Sequence, residues 1–351
     1  MGYQALLLNT KGSDNVAIGE SSLTNNSTAI QNIAIGKRAL YSQSYSNSGT
    51  PYYSNNLAVG AYALTSNNPS SLTNGIENTA VGNNTMTDNT TGYANTATGF
   101  RALQNNEIGF YNTASGYESL YNNTSGYQNT AQGYQTLYPN STGYFNTALG
   151  SIAYFFAGSL QNTTCLGFGS GGQADNDNRI ELGNASVSWI GGEVDWLTYS
   201  DARIKDNVKE NVPGLDFITR LRPVTYNLNI HRQNALVYQG KKDEGDWPSK
   251  YDIEKQTMTG FIAQDVEKAA KETGFNFSGL VVPSNPQDLY SLGYASFVVP
   301  LVKAAQELSA RNNEQDELIL NLKQEVEIQK INNEKLAERI EKLESLLKPN
   351  D

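Results

Sequence analysis

Through the first half of the chain, short bursts of residues alternate between two kinds of position. In each burst Asn, Ala and Gly hold alternate places, as in Asn112, Ala114 and Gly116, while the places between them vary from Val, Ile and Leu to Thr, Ser and Gln. A period of two marks a strand with two unlike faces, so the small fixed residues are expected to face a narrow interior. The burst NTAxG recurs with its Asn at 15, 32, 56, 78, 95, 112, 129 and 146, and a degenerate copy begins at Asn162. Five of the seven intervals between the eight clear copies are 17 residues, and one period reads approximately GYxxLxxNTTGxxNTAxG. That is too short for a helical hairpin, and Asn, Gly and Thr are poor helix formers. The spacing predicts a solenoid of short strands and turns, with Asn side chains hydrogen-bonding between successive coils. The two longer intervals hold SQSYSNSGTPYYSN and SNNPSSLTNG, turn-rich insertions expected on an outer face. A single coil of this kind buries little surface, so stacking and oligomerisation are expected to supply the core.

Beyond residue 199 other patterns take over. Leu221 to Leu228 reads as extended, with Pro223 biasing its neighbours towards β. Phe261 to Glu272 has the spacing of an amphipathic helix, and His231 to Asp252 reads as a polar excursion, a hairpin tip or loop with His231 at the surface. From Ser296 the pattern predicts one long helix. Ala305, Asn312, Ile319, Val326, Asn333, Ile340 and Leu347 fall at heptad position a, and Leu301, Leu308, Gln315, Leu322, Gln329, Leu336 and Leu343 at d. Ile or Val at a with Leu at d leans towards two strands, but Asn312, Gln315, Gln329 and Asn333 interrupt that pattern and can set register at a cost in stability.

Charge divides the chain at the same place. Residues 1–199 hold 5 Lys+Arg and 11 Asp+Glu, whereas residues 200–351 hold 20 and 24, so the net charges are −6 and −4. Acidity on both sides argues against nucleic acid or an anionic membrane surface as partner. One cysteine, Cys165, and one histidine, His231, exclude a disulfide framework, a Cys/His zinc site and a triad built from several such residues. No cofactor or metal is expected. No run of 18 apolar residues predicts a membrane span, and the opening MGYQALLLNTKG lacks the pattern of a secretory signal peptide. A serine acting with a lysine remains chemically open.

The units NVAIG, NIAIG and NLAVG, starting at Asn15, Asn32 and Asn56, resemble the head repeats of trimeric autotransporter adhesins, which implies a threefold β-roll. The period here is longer and no C-terminal membrane barrel is seen. A more specific resemblance covers Ser200 to about Leu308. TYSDARIKDNVKENVPGLDFITRLRPVTYNL, GFIAQDVEKA and YASFVVPLVKAAQEL occur in the order found in the intramolecular-chaperone autoprocessing domain of phage tailspikes and tail fibres. That resemblance implies a trimer and a Ser-Lys self-cleaving peptidase of a single turnover. Ser200 would attack the carbonyl of the Tyr199–Ser200 bond, and Lys205 would serve as general base. Arg203 or a neighbouring subunit would provide the environment that lowers the lysine pKa, while Asp201, Gln264 and Asp265 would be supporting groups. Read from composition alone, Ser200–Asp201 is a turn or helix cap, Lys205 a surface residue, and Gln264 and Asp265 polar helix positions.

The reading that follows is a mainly β solenoid over 1–175, a neck over 176–199, an α+β chaperone domain over 200–300 and a coiled coil over 301–351. Function is expected to be that of a structural phage-type tail fibre or tailspike, located in the virion or at a cell surface. Its partners would be itself, as a homotrimer, and a cell-surface glycan or other host receptor. A bacterial surface adhesin with the same assembly domain is the alternative. A polysaccharide-degrading tailspike is third, because glycoside hydrolysis needs paired carboxylates and Glu77, Glu107 and Glu118 are scattered across the repeats.

Overall fold

The computed structural model describes residues 2–154, 158–171, 177–188, 190–193, 196–238, 250–283, 285 and 288–346. Leu347, placed above at heptad position a, and residues 239–249 of the polar excursion lie outside them, as do 176, 189, 194 and 195 of the expected neck. The chain divides into two units, one of residues 1–193, 227–257 and 283–289, the other of 194–226, 258–282 and 290–351.

In the first unit each NTAxG burst becomes one short strand. The strands are β1 (Val16–Ile18), β2 (Ala29–Ile30), β3 (Ile33–Ile35), β4 (Tyr52–Tyr53), β5 (Leu57–Val59), β6 (Thr79–Val81), β7 (Thr96–Thr98), β8 (Thr113–Ser115), β9 (Thr130–Gln132), β10 (Thr147–Leu149), β11 (Thr163–Leu166) and β12 (Arg179–Leu182). Ten of them form one parallel sheet in the order β1-β3-β5-β6-β7-β8-β9-β10-β11-β12, and β2 pairs with β4 beside it. The register places Ala97 against Ala114 and Ala114 against Ala131, so one alanine column runs through the coils. A second column of Leu23, Leu40, Leu64, Met86, Leu103, Leu120 and Leu137 is fully buried beside it. Both faces expected from the period of two are present: in β7, β8 and β9 the central Ala is buried and its neighbours face outward.

Asparagine ladders join the coils. The Asn112 side chain donates to Asn95 Oδ1 at 3.2 Å and to Gly126 O at 2.8 Å, while its own Oδ1 accepts from Asn129 N and Nδ2 at 3.0 Å each. A second ladder passes from Asn89 through Asn106 and Asn123 to Asn140 at 2.7–2.9 Å. Gly116, at φ +137°, sits so close to the next coil that an added Cβ would lie 2.3 Å from Gly133 O. The column ends at β12, where Glu181 pairs opposite Cys165 and accepts from Gly171 N at 2.9 Å. A carboxylate in the alanine position cannot be stacked by a further apolar coil.

The excursion after residue 230 departs from expectation. Instead of a loop throughout, residues Ile230–Tyr238 form helix α2. Asn229 caps it, its Oδ1 accepting from Arg232 N at 2.7 Å. His231 is exposed, as expected, and its Nδ1 lies 2.9 Å from Glu254 Oε1.

The second unit is built on helices α1 (Leu215–Ile218), α3 (Ala263–Glu272) and α4 (Val298–Leu346), with antiparallel pairs β13 (Val224–Tyr226) with β14 (Met258–Gly260) and β15 (Leu280–Val281) with β16 (Ser291–Leu292). Ala263, Val266, Ala269 and Ala270 form the buried face of α3, and the last three pack with Phe217, Phe277 and Phe297 in one cluster. Gly274, at φ +63°, follows the α3 C-cap, the usual place for a left-handed glycine. Gly214 lets α1 approach α4, since a Cβ there would lie 2.7 Å from Ala304 N. The Leu215 N–H donates to Glu307 Oε2 at 2.8 Å, which fixes the contact. Helix α4 runs for 49 residues. Its heptad residues Leu308, Ile319, Leu322, Val326, Leu336, Ile340 and Leu343 are all exposed in the single chain.

Candidate active site

The segment leading to Ser200 carries no regular structure until a single 3-10 turn, Ala202–Ile204. Asp201 caps that turn, its Oδ1 accepting from Arg203 N at 2.8 Å. The backbone closes behind it, with Ile204 N donating to Asp201 O and Lys205 N to Ala202 O, both at 3.2 Å. Folding back over five residues brings the lysine to the serine. Lys205 Nζ donates to Ser200 Oγ at 2.6 Å.

Arg203 is committed elsewhere. Its guanidinium makes a bidentate pair with Asp201, from Nε at 2.9 Å and from Nη2 at 2.6 Å. That side-chain bond, followed by the backbone bond from Arg203 N, holds the Asp201 carboxyl below its usual range. With its charge matched by Asp201, Arg203 adds little net positive field to Lys205. Asp201 is thus the cap of the turn that carries Lys205 to Ser200.

Asp265, at the start of α3, accepts from Arg222 Nη2 at 2.6 Å. Among the described residues no hydrogen bond joins Gln264 or Asp265 to Ser200 or Lys205. The Arg222–Asp265 pair ties α3 to the strand-bearing segment at Val224–Tyr226 instead.

Around Ser200 and Lys205 lies a feature that the sequence did not announce. Trp196, Leu197, Tyr199, Ile204 and Val208 are all exposed, Tyr199 at 94% and Leu197 at 95%. So much apolar surface on a short stretch is a signature of a contact surface. Its signal in the sequence is large apolar residues spaced through an otherwise polar stretch.

The group can perform acyl transfer in principle: a hydroxyl, an amine in contact with it, and a peptide carbonyl one bond upstream. Among the described residues no cluster of His, Cys, Asp and Glu is suited to hold a metal ion, and no helix is long and apolar enough to cross a membrane. No curated protein and no solved structure matches the chain. Residues 200–275 match the family described as chaperone of endosialidase. The match opens on Ser200 and takes in Lys205, α1, β13, β14 and α3, so residues 200–275 carry an endosialidase-type chaperone domain.

Proposed function

We propose that this chain is a fibre-forming subunit of a phage-type tail fibre or tailspike, in which the C-terminal domain aligns three copies and then cuts itself free. The observation that carries the reading is the 2.6 Å contact between Lys205 Nζ and Ser200 Oγ, at the first residue of the chaperone domain. Ser200 Oγ attacks the Tyr199 carbonyl carbon while neutral Lys205 takes the hydroxyl proton. The C–N bond breaks, the Ser200 amine leaves with a proton, and an ester joins Tyr199 to Ser200 Oγ. Water then hydrolyses the ester and releases the C-terminal piece.

A lysine acts as base only when its amine is neutral, which burial or nearby positive charge promotes. Lys205 is exposed in the single chain, so a second copy covering the site supplies the burial. The exposed apolar residues from Trp196 to Val208 are the surface that such a copy would cover, and the open seam of α4 holds copies in parallel. The solenoid is consistent with this, because parallel sheets are ordinarily covered on both faces and its outward rows include exposed Val16, Ile18 and Ile33. Three such subunits make a fibre carried by a virion.

Sedimentation tests the assembly role. The full chain is expected to sediment as a trimer, and residues 1–199 expressed alone as monomer or aggregate. A soluble, protease-resistant trimer from residues 1–199 would refute the chaperone role.

A further inference from the structure

Two aromatic columns of the solenoid look alike in sequence and differ in structure. In the first, Tyr93, Phe110, Tyr127 and Tyr144 stack at 4.7–5.0 Å with planes within 6° of parallel. Tyr111 and Phe145 pack edge-on against it. That column is packing between coils. In the second, Phe100, Tyr117 and Tyr134 stack more loosely, at 5.5 and 5.3 Å with tilts of 28° and 14°, and all three are exposed. The next coil places Ser151 after Tyr134, since Ile152 N donates to Tyr134 O as Gln135 N does to Tyr117 O. A ring returns to this column at Phe168, one coil further on, where Gly169 N donates to Ser151 O.

Beside this second column runs a polar row. Arg101 Nη1 lies 3.3 Å from Glu118 Oε1, and Gln135 Nε2 donates to Glu118 Oε2 at 2.8 Å. The Glu118 side chain is only 9% exposed. On its far side Tyr121 and Tyr138 stack at 5.2 Å, and the Glu118 charge contributes to holding the Tyr117 and Tyr138 phenols above their usual range, behind desolvation. Arg101 Nε and Gln104 Oε1, a donor and an acceptor, are buried without a hydrogen-bond partner. Gln104 belongs to the Tyr121 column, because Asn105 N donates to Tyr121 O.

We infer that this flank, a polar row of Arg101, Glu118 and Gln135 between the rings of Phe100, Tyr117 and Tyr134 and those of Tyr121 and Tyr138, binds a neutral saccharide. Aromatic rings receive the apolar face of a pyranose, and a carboxylate with adjacent N–H donors matches neighbouring hydroxyls, each of which both donates and accepts. Arg101 and Glu118 cancel in charge, so the row favours neither an acidic glycan nor a phosphate. One arginine on a chain of net charge −10 makes a nucleic acid a poor partner, and an apolar peptide would strand the polar row. The inference rests on the proposal above only in needing the repeats to face outward in the assembled fibre.

The test applies the intact protein to an array of immobilised neutral, uronic-acid and sialylated oligosaccharides, then measures the affinity of the bound ones by calorimetry. Three substitutions copy what the next coil carries at the same position: Glu118→Gln, Tyr134→Ser and Gln135→Ile. The coil fold therefore tolerates their shapes. Neutral oligosaccharides are expected to bind, and Tyr134→Ser and Glu118→Gln to weaken binding about tenfold or more, with sedimentation and melting unchanged. Tyr127→Phe, in the packing column, is expected to leave affinity unchanged. Binding of no oligosaccharide, binding of acidic ones alone, or unaltered affinity in both variants would overturn the site. Sedimentation of the same samples reports separately whether the trimer itself fails.

Discussion

The Asn112 side chain makes four hydrogen bonds to three residues, so its amide has no freedom left to compensate a loss. Asn112→Ala leaves Asn129 N without its acceptor and Asn129 Nδ2 with Gly143 O alone, and a buried orphan costs about 1–3 kcal/mol. A melting temperature lowered by several degrees in calorimetry is the expected outcome; no change would mean the ladder is ornamental to stability. Left-handed backbone recurs beside these ladders. Ala94 has φ +52° and Leu120 has φ +52°, a conformation costing roughly 1–2 kcal/mol for a residue with a Cβ. Ala94→Asn is therefore expected to raise the unfolding midpoint modestly, Asn being better suited to that region. The alanine and asparagine positions were legible from strict alternation. The left-handed ones were not, since Leu, Glu and Tyr carry no turn signature. Coil-to-coil bonds such as Leu120 N to Thr136 O impose the conformation on them.

Buried acids at this scale also set a pH dependence. Desolvation pushes the Cys165 thiol and the Tyr52 phenol each up to about 12, and the Tyr154 phenol upward as well. In the unfolded chain these groups lose protons at their ordinary values, so above about pH 9 the folded state holds more protons than the unfolded one. Their contribution to stability is whole below that pH and is lost as pH rises towards 12. Denaturant midpoints at pH 7 and pH 10.5 should show the fall, and the thiol should resist alkylation until the solenoid opens.

At the scale of elements, α3 and α4 emerged where the apolar spacing put them, because long periodic patterns outlast local noise. Helix α2 did not. His231, Arg232, Gln233 and Asn234 looked like loop, whereas the cap at Asn229 and buried Ile230 begin a helix. The signal was a capping asparagine before a helix-tolerant run, masked by polarity. In α4 the heptad was plain, and its polar layers make a prediction of their own. Asn312→Ile with Asn333→Ile should raise the melting temperature of the helix association, while sedimentation shows mixed oligomers or registers. A single sharp trimer in the double variant would deny those asparagines a part in specificity. Removing residues 309–351 should reduce the yield of assembled protein, measured by gel filtration after expression.

In the proposed assembly, labour is divided between a shaft that stacks and a domain that gathers. The coils bond mostly to coils nearby in sequence, but bringing three chains into register demands contacts that form slowly. On the proposed reading, an associating C-terminal domain would shorten that search by raising the local concentration of the shafts. The chaperone domain was readable from three separated motifs in order. The approach of Lys205 to Ser200 was not, since it depends on Asp201 capping the turn that folds Lys205 back.

Mass spectrometry of the purified trimer under denaturing conditions, for the wild type, Ser200→Ala and Lys205→Ala, tests the central claim most directly. The account predicts a wild-type product of 152 residues beginning at Ser200. It predicts none from Ser200→Ala, almost none from Lys205→Ala, and trimers from all three. Intact wild-type chains after prolonged incubation as a proven trimer, or cleavage that survives Ser200→Ala, would contradict it.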